Sequence, residues 1–148
     1  MFVRERSDAV DAWEALFRAQ VTILRDLSRD FPLGEISFNE YDVLFNLSRQ
    51  PERRSRIRDL NKHLLLTQPS VSRLVDRLVS RGLVAKSTDP DDARGTVVAL
   101  TDEGAELFRA VAVQHAASIS RRVGGILEPD ELRTLTILTD KLRRGSPA

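Results

Sequence analysis

TQPSVSRLVDRLVSRGLVAKSTDPDDARGTVVALTDEG, residues 67–104, is the stretch whose reading decides the fold. From Val71 the apolar residues fall at Val71, Leu74, Val75, Leu78 and Val79, the spacing of a helix with one buried face. Gln68, Ser70, Arg73 and Arg77 leave other sides of that helix and carry donors suited to nucleic-acid acceptors. Thr67 is a good N-cap, Pro69 sits in the first turn where its missing N–H costs nothing, and Gly82 is placed to stop the helix. Residues 83–87 and 96–100 then read as two strands joined by the turn-rich run DPDDARG. A helix with a free polar face, followed at once by a hairpin carrying Arg94, is what a winged helix-turn-helix needs to read DNA.

Working outward, residues 8–30 read as a long helix with Val10, Trp13, Phe17, Leu24 and Leu27 on one stripe and Ser7 or Asp8 as N-cap. Ser37 or Asn39 can cap a second helix through about Ser48, with an apolar face of Tyr41, Leu44, Phe45 and Leu47. Residues 49–55 read as a loop and 57–64 as a short third helix. Beyond the hairpin, Thr101 caps another long helix along Ala105, Phe108, Ala112, His115 or Ala116, Ile119 and Val123, broken by Gly124 and Gly125. A last helix begins near Pro129, carries Leu132, Leu135, Leu138 and Leu142, and closes at Gly145. The expected fold is therefore mainly α with a small β-hairpin wing, four helices before the hairpin and two after it. One domain spans 1–148, with a DNA-reading core at about 37–101. The helices at about 8–30 and 102–144 carry more apolar surface than that core can cover. Either one monomeric core absorbs them all, or they interlock in a symmetric dimer. Half-sites about 10 base pairs apart favour the dimer, because they need two recognition helices in a fixed relation.

Composition narrows the function. The 148 residues include no cysteine, which excludes disulfides, thiolate metal sites, cysteine catalysis and thiol redox sensing. No apolar run nears the roughly 20 residues that span a bilayer, and MFVRERSDAV lacks a signal-peptide core, so a soluble cytoplasmic protein is expected. The overall charge of +1 hides a partition: residues 51–98 hold ten Lys/Arg against six Asp/Glu, and the remainder is mildly acidic. A basic centre fits a nucleic-acid reader, and a mixed solvated surface accounts for the same counts equally well. Arginine outnumbers lysine 20 to 3, so no arginine is singled out merely for being one. His63 and His115 lie far apart, and no HExxH, GxSxG, Walker-type or GxGxxG string occurs. Neither an enzyme, a metal site nor a cofactor is expected.

The strings TQPSVSRLVDRLVSRGLV and DPDDARGTVVALTDEG, in this order of elements, resemble the MarR family of bacterial winged-helix transcription regulators, over about residues 8–144. The resemblance implies a homodimer on a pseudo-palindromic double-stranded operator, with the helix matching 67–81 in the major groove and the hairpin tip in the adjacent minor groove. By position it makes Thr67, Gln68, Ser70, Arg73, Arg77 and Arg94 the DNA-binding set. Gln68 and Arg73 can each pair two hydrogen bonds with a base edge, discriminating by about 1–3 kcal/mol. Arg77, one turn on, meets phosphate, which positions without specifying. Arg94 suits the enhanced negative potential of a narrow minor groove. The acids need another account, since free carboxylates repel DNA. Asp89, Asp91 and Asp92 read as turn formers, Asp92 able also to hold Arg94, while Asp76 pairs with Arg73, Arg77 or a wing arginine. Arg53, Arg54 and Arg56 can touch phosphate or a neighbouring acidic surface, or simply stand in a solvated loop.

The resemblance further implies a repressor switched by a small aromatic or anionic effector. Trp13, Phe17, Tyr41, Phe45 and His115 could line its pocket, although all but His115 are explained as well by core packing. An activator or ligand-independent regulator of the same fold, and a winged helix that binds protein, are the rival readings.

Overall fold

The 67–104 stretch folds around the stripe that its spacing predicts. In the computed structural model, which describes residues 2–31, 36–64 and 68–145, Val71, Leu74, Val75 and Leu78 are all at most 1% exposed. Burying each contributes about 1.5–3 kcal/mol relative to exposure. They belong to helix α4, Gln68–Ser80, the fourth helix after α1 (Phe2–Asp30), α2 (Phe38–Ser48) and α3 (Ile57–Asn61). A hairpin of β2 (Val84–Asp89) and β3 (Asp92–Leu100) follows, then α5 (Asp102–Ile119) and α6 (Pro129–Arg144). A π-helical turn, Ser120–Gly124, leads out of α5 towards the Gly124-Gly125 break.

Local chemistry sets these boundaries. Ser37 and Glu40 form a capping box on α2, each side chain accepting the other's backbone N–H at 3.1 Å. Gly82 ends α4 at φ +75°, with Leu83 N–H donating to the Leu78 carbonyl at 3.0 Å and Gly82 N–H to that of Val79 at 3.0 Å. That pair of bonds is a Schellman closure, which favours glycine at the left-handed position. Thr101 caps α5 by accepting from Gly104 N–H at 3.0 Å, and its hydroxyl donates to the Gly82 carbonyl at 2.7 Å.

Four expectations need correction. Helix α1 begins at Phe2, so Ser7 and Asp8 lie inside it rather than capping it; the preceding FVRER contains no helix breaker. Helix α3 ends at Asn61 because its next bonds tighten, Lys62 N–H donating to the Asp59 carbonyl and His63 N–H to that of Leu60. The hairpin strands run to the tip, pairing Asp89 with Asp92 after a bulge at Thr88/Asp89. Inside the supposed loop 49–55, a further strand β1 (Arg54–Arg56) begins and pairs antiparallel with β3, opposing Arg54 to Ala99 and Arg56 to Val97. The sheet order is β1-β3-β2.

The chain divides into two compact units. In Phe31–Gln114, α2, α3, α4 and the sheet enclose a core that includes Val43, Leu44, Leu47, Leu60, the α4 stripe, Val84 and Val98. Tyr41, Phe45 and Phe108 stack on it, with ring centroids 5.3–6.4 Å apart. The second unit joins Met1–Asp30 to His115–Ala148. Within it Arg122 pairs with Asp26 at 3.2 Å and donates to Asp30 from Nε at 2.9 Å. Its buried residues include Leu27, His115 and Ser118, while Val10, Trp13 and Phe17 of α1 and Leu135, Ile137, Leu138 and Leu142 of α6 are exposed. Among the described residues no helix is long and apolar enough to cross a membrane.

Candidate nucleic-acid interface

Opposite its buried stripe, α4 exposes Ser72, Arg73, Asp76, Arg77 and Ser80. Arg73 and Arg77 border a shallow cavity with Ser70, Leu74 and Asn39, the last contributed by the first turn of α2. Glu40 helps hold the two helices together: besides capping α2 it accepts from Arg81, just past the end of α4, at 3.2 Å. Thr67 and the Gln68 side chain, both in the expected DNA-binding set, lie outside the described residues.

Ion pairing sorts the arginines of the basic centre into two groups. Arg53 donates to Asp102 at 2.8 Å, Arg54 pairs with Glu52 at 3.6 Å and Arg56 with Asp89 at 2.6 Å. These three are therefore held by acids of the chain itself. Their setting adds strain, since Glu52 and Arg53 both have φ of 56°, an uncommon value for residues with a Cβ. The Arg53 guanidinium holds the Asp102 carboxyl below the usual carboxylate range, by its hydrogen bond first and its charge second. By contrast Arg58, Arg73, Arg77 and Arg94 are exposed, and among the described residues none has a carboxylate within ion-pair distance. An unpaired guanidinium on the surface is available to a phosphate or a base edge without first breaking a bond.

The acids are spent inside the protein, though not on the arginines expected. Asp76 pairs with Lys86 of β2 at 2.8 Å rather than with Arg73, Arg77 or Arg94. That links the exposed face of α4 to the first strand of the wing. The Asp92 carboxylate accepts the backbone N–H of Arg94 at 3.0 Å, so it shapes the backbone and leaves the guanidinium unpaired. Asp89, with its side chain 3% exposed, also accepts the Asp91 N–H at 2.9 Å. Arg94 shares a small cleft with Arg56, Ile57, Arg58, Asp89, Asp92, Gly95 and Thr96.

Two residues of this surface escape the sequence reading, Asn39 and Arg58. Asn39 passes there for a cap, and Arg58 lies on a helix with no motif. Only the folded chain brings them beside Arg73 and Arg94. Of the aromatic set considered for an effector, Tyr41 and Phe45 belong to the stack with Phe108, and Trp13 and Phe17 pair with each other at 5.9 Å on exposed α1. His115 is buried, and burial pushes its pKa down. Among the described residues no cluster of His, Asp and Glu could hold a metal ion.

Comparison with known proteins identifies the family. The model of the MarR family matches residues 35–95, which contain α2, α4 and the wing tip. An HTH-type transcriptional regulator of Bacillus subtilis, YkoM, is 29% identical over 134 residues, covering 90% of this chain and 84% of its own. Sco3205 of Streptomyces coelicolor, a MarR family regulator solved in complex with DNA, superposes with a TM-score of 0.80 at 27% identity, over 96% of this chain and 90% of its own. BpsR of Bordetella bronchiseptica, whose structure concerns regulation of its DNA binding by 6-hydroxynicotinic acid, gives 0.77 at 27% identity over 90% and 98%. Proteins of this kind are DNA-binding regulators and not enzymes. A helix with unpaired arginines beside a winged hairpin, in a chain that follows these regulators nearly end to end, belongs to the MarR family of winged helix-turn-helix, DNA-binding transcription regulators.

Proposed function

We propose that the protein is a homodimeric repressor that occupies a pseudo-palindromic operator and leaves it when a small aromatic or anionic effector binds. The observation that carries the dimer is the uncovered apolar stripe on each terminal helix, Val10, Trp13 and Phe17 on α1 and Leu135, Leu138 and Leu142 on α6. Several large exposed apolar side chains along one helix are what an interaction site presents. Two copies joined there would present two α4 helices to two half-sites. The effector class is supported by BpsR, whose DNA binding responds to an aromatic acid.

In this reading Ser70 and Arg73 face base edges, and Thr67 and Gln68 belong to the same DNA-binding set. Arg77 and Arg58 meet phosphates, and Arg94 probes the minor groove. The test is a selection of duplexes from a random library, followed by affinity measurement on the selected site. An inverted repeat should emerge, and Arg73→Ala should relax the base preference at one position in each half-site by about 1–3 kcal/mol. A selected site without two-fold symmetry, bound by one copy of the chain, overturns the dimeric reading. Transcription from a promoter carrying the selected site should fall when the protein is added and recover with aromatic acids. Stimulation of that promoter by the protein would overturn repression.

A further inference from the structure

Asp89 poses a physical problem that Arg56 solves. A carboxylate almost fully removed from water is costly unless it is paired and hydrogen-bonded. Asp89 forms an ion pair with Arg56, whose Nε lies 2.6 Å from one carboxylate oxygen, and accepts the Asp91 N–H at 2.9 Å on the other. Arg56 comes from β1 and Asp89 from β2, with β3 between them in the sheet. The pair therefore crosses the middle strand and fastens the far end of the hairpin to its opposite edge. Nη2 of Arg56 also lies 3.4 Å from Asp91 at the turn. Gly95, next to Arg94, leaves the room this needs: a Cβ there would stand 3.2 Å from the Asp89 Cβ and 3.4 Å from its Oδ2.

Resting on the reading of Arg94 as a DNA contact, we infer that Arg56 and Asp89 are positioning residues for the wing, whose ion pair holds the tip so that Arg94 reaches the groove. Apart from the buried carboxylate of Asp89, the strand residues at the tip are largely exposed, and no buried apolar side chain there fixes their direction. The backbone on either side of Arg94 is instead set by two acids, Asp92 on its N–H and Asp89 against Gly95. Arg56 also neutralises carboxylates that would otherwise face DNA. Arg56 is engaged by two acids of the wing, Asp89 at Nε and Asp91 at Nη2, which makes positioning the favoured role.

The sign of one substitution separates positioning from bulk charge. Asp89→Asn makes the wing more positive, and on charge alone it should tighten DNA binding. Positioning requires the opposite. The measurement is affinity of the full-length protein for the best duplex selected from a random library, for Arg94→Ala, Asp89→Asn, Arg56→Met, Arg56→Lys and the Asp89→Asn/Arg94→Ala double variant. Arg94→Ala should weaken binding roughly tenfold, the size of one charge-assisted contact. Asp89→Asn and Arg56→Met should each weaken it by about threefold to tenfold, and Arg56→Lys should recover most of the loss by restoring a cation near Asp89. In the Arg94→Ala background, Asp89→Asn should change affinity by less than about twofold, because nothing remains to position. Thermal unfolding of each variant checks that the winged unit is folded at the assay temperature. Tighter or unchanged binding by folded Asp89→Asn, or the same loss with and without Arg94, overturns the positioning role while leaving Arg94 a DNA contact. Wild-type affinity in Arg94→Ala overturns the reading of Arg94 and the inference with it.

Discussion

Helices α4 and α6 show the same apolar period and meet opposite fates. In α4 the stripe Val71, Leu74, Val75 and Leu78 is wholly buried, whereas no residue of α6 is buried and Leu138 is 54% exposed. The same contrast separates Leu44 on α2, with no exposed surface, from Trp13 on α1, 60% exposed. Amphipathic spacing thus identifies the face that has to be covered and is silent about what covers it. In the unit Phe31–Gln114 the chain covers nearly all of its own large apolar side chains, Val113 being the open exception. In the unit that contains α1 and α6 large apolar side chains remain open, as expected of a surface completed by a second molecule.

Four variants probe that contrast, from the strongest effect to the weakest. Leu44→Ala should lower unfolding free energy by about 2–5 kcal/mol in urea titrations, since a full core position has nothing to refill it. A loss near zero would mean that the winged unit is not independently packed. Leu138→Glu combined with Leu142→Glu should convert a dimer into single chains in sedimentation at micromolar concentration and leave the helix content unchanged. A variant that stays dimeric would break the comparison, because the α6 stripe would then not be the joining surface. Gly104→Ala should cost about 1–3 kcal/mol, because a Cβ there meets the Leu83 carbonyl oxygen and neither backbone can yield easily. Normal stability would show that α5 can draw back from the wing root at little cost.

The smallest effect concerns pH. Burial depresses the His115 pKa, so between the folded value and the ordinary His value the unfolded chain binds a proton that the folded chain refuses. Stability is then complete above about pH 6.5 and declines as pH falls toward the folded pKa. His115→Gln should flatten that slope in urea titrations across mildly acidic pH, and an unchanged slope would assign it to other groups.

Local signals made most of the fold legible. The α4 stripe, the Ser37 cap, the Gly82 stop and the Thr101 cap each depend on residues within a turn or two, so spacing alone reveals them. Strand β1 was hidden because RSR has no apolar alternation; it is a strand through its pairing with β3, more than 40 residues away. The candidate site divides the same way. That Arg73, Arg77 and Arg94 are exposed could be read from the stripe and the hairpin. Which arginines are engaged elsewhere could not, because contacts such as Arg53–Asp102 and Arg81–Glu40 join positions 49 and 41 residues apart. Asp76 illustrates the limit: its need for a cation was evident, but Lys86 became its partner only when β2 folded back beside α4.

The division between committed and uncommitted guanidiniums has a consequence for how the protein responds to its ionic medium. Binding to duplex DNA displaces condensed cations, and affinity falls with salt at a logarithmic slope of about −0.9 per phosphate neutralised. Arg53, Arg54, Arg56 and Arg81 already have carboxylates for counterions and displace few from DNA. The slope should therefore follow Arg58, Arg73, Arg77 and Arg94 in each copy rather than the whole basic content of the centre. On this reading formal charge overstates the hold on DNA, and a salt titration should count only the cations kept in reserve.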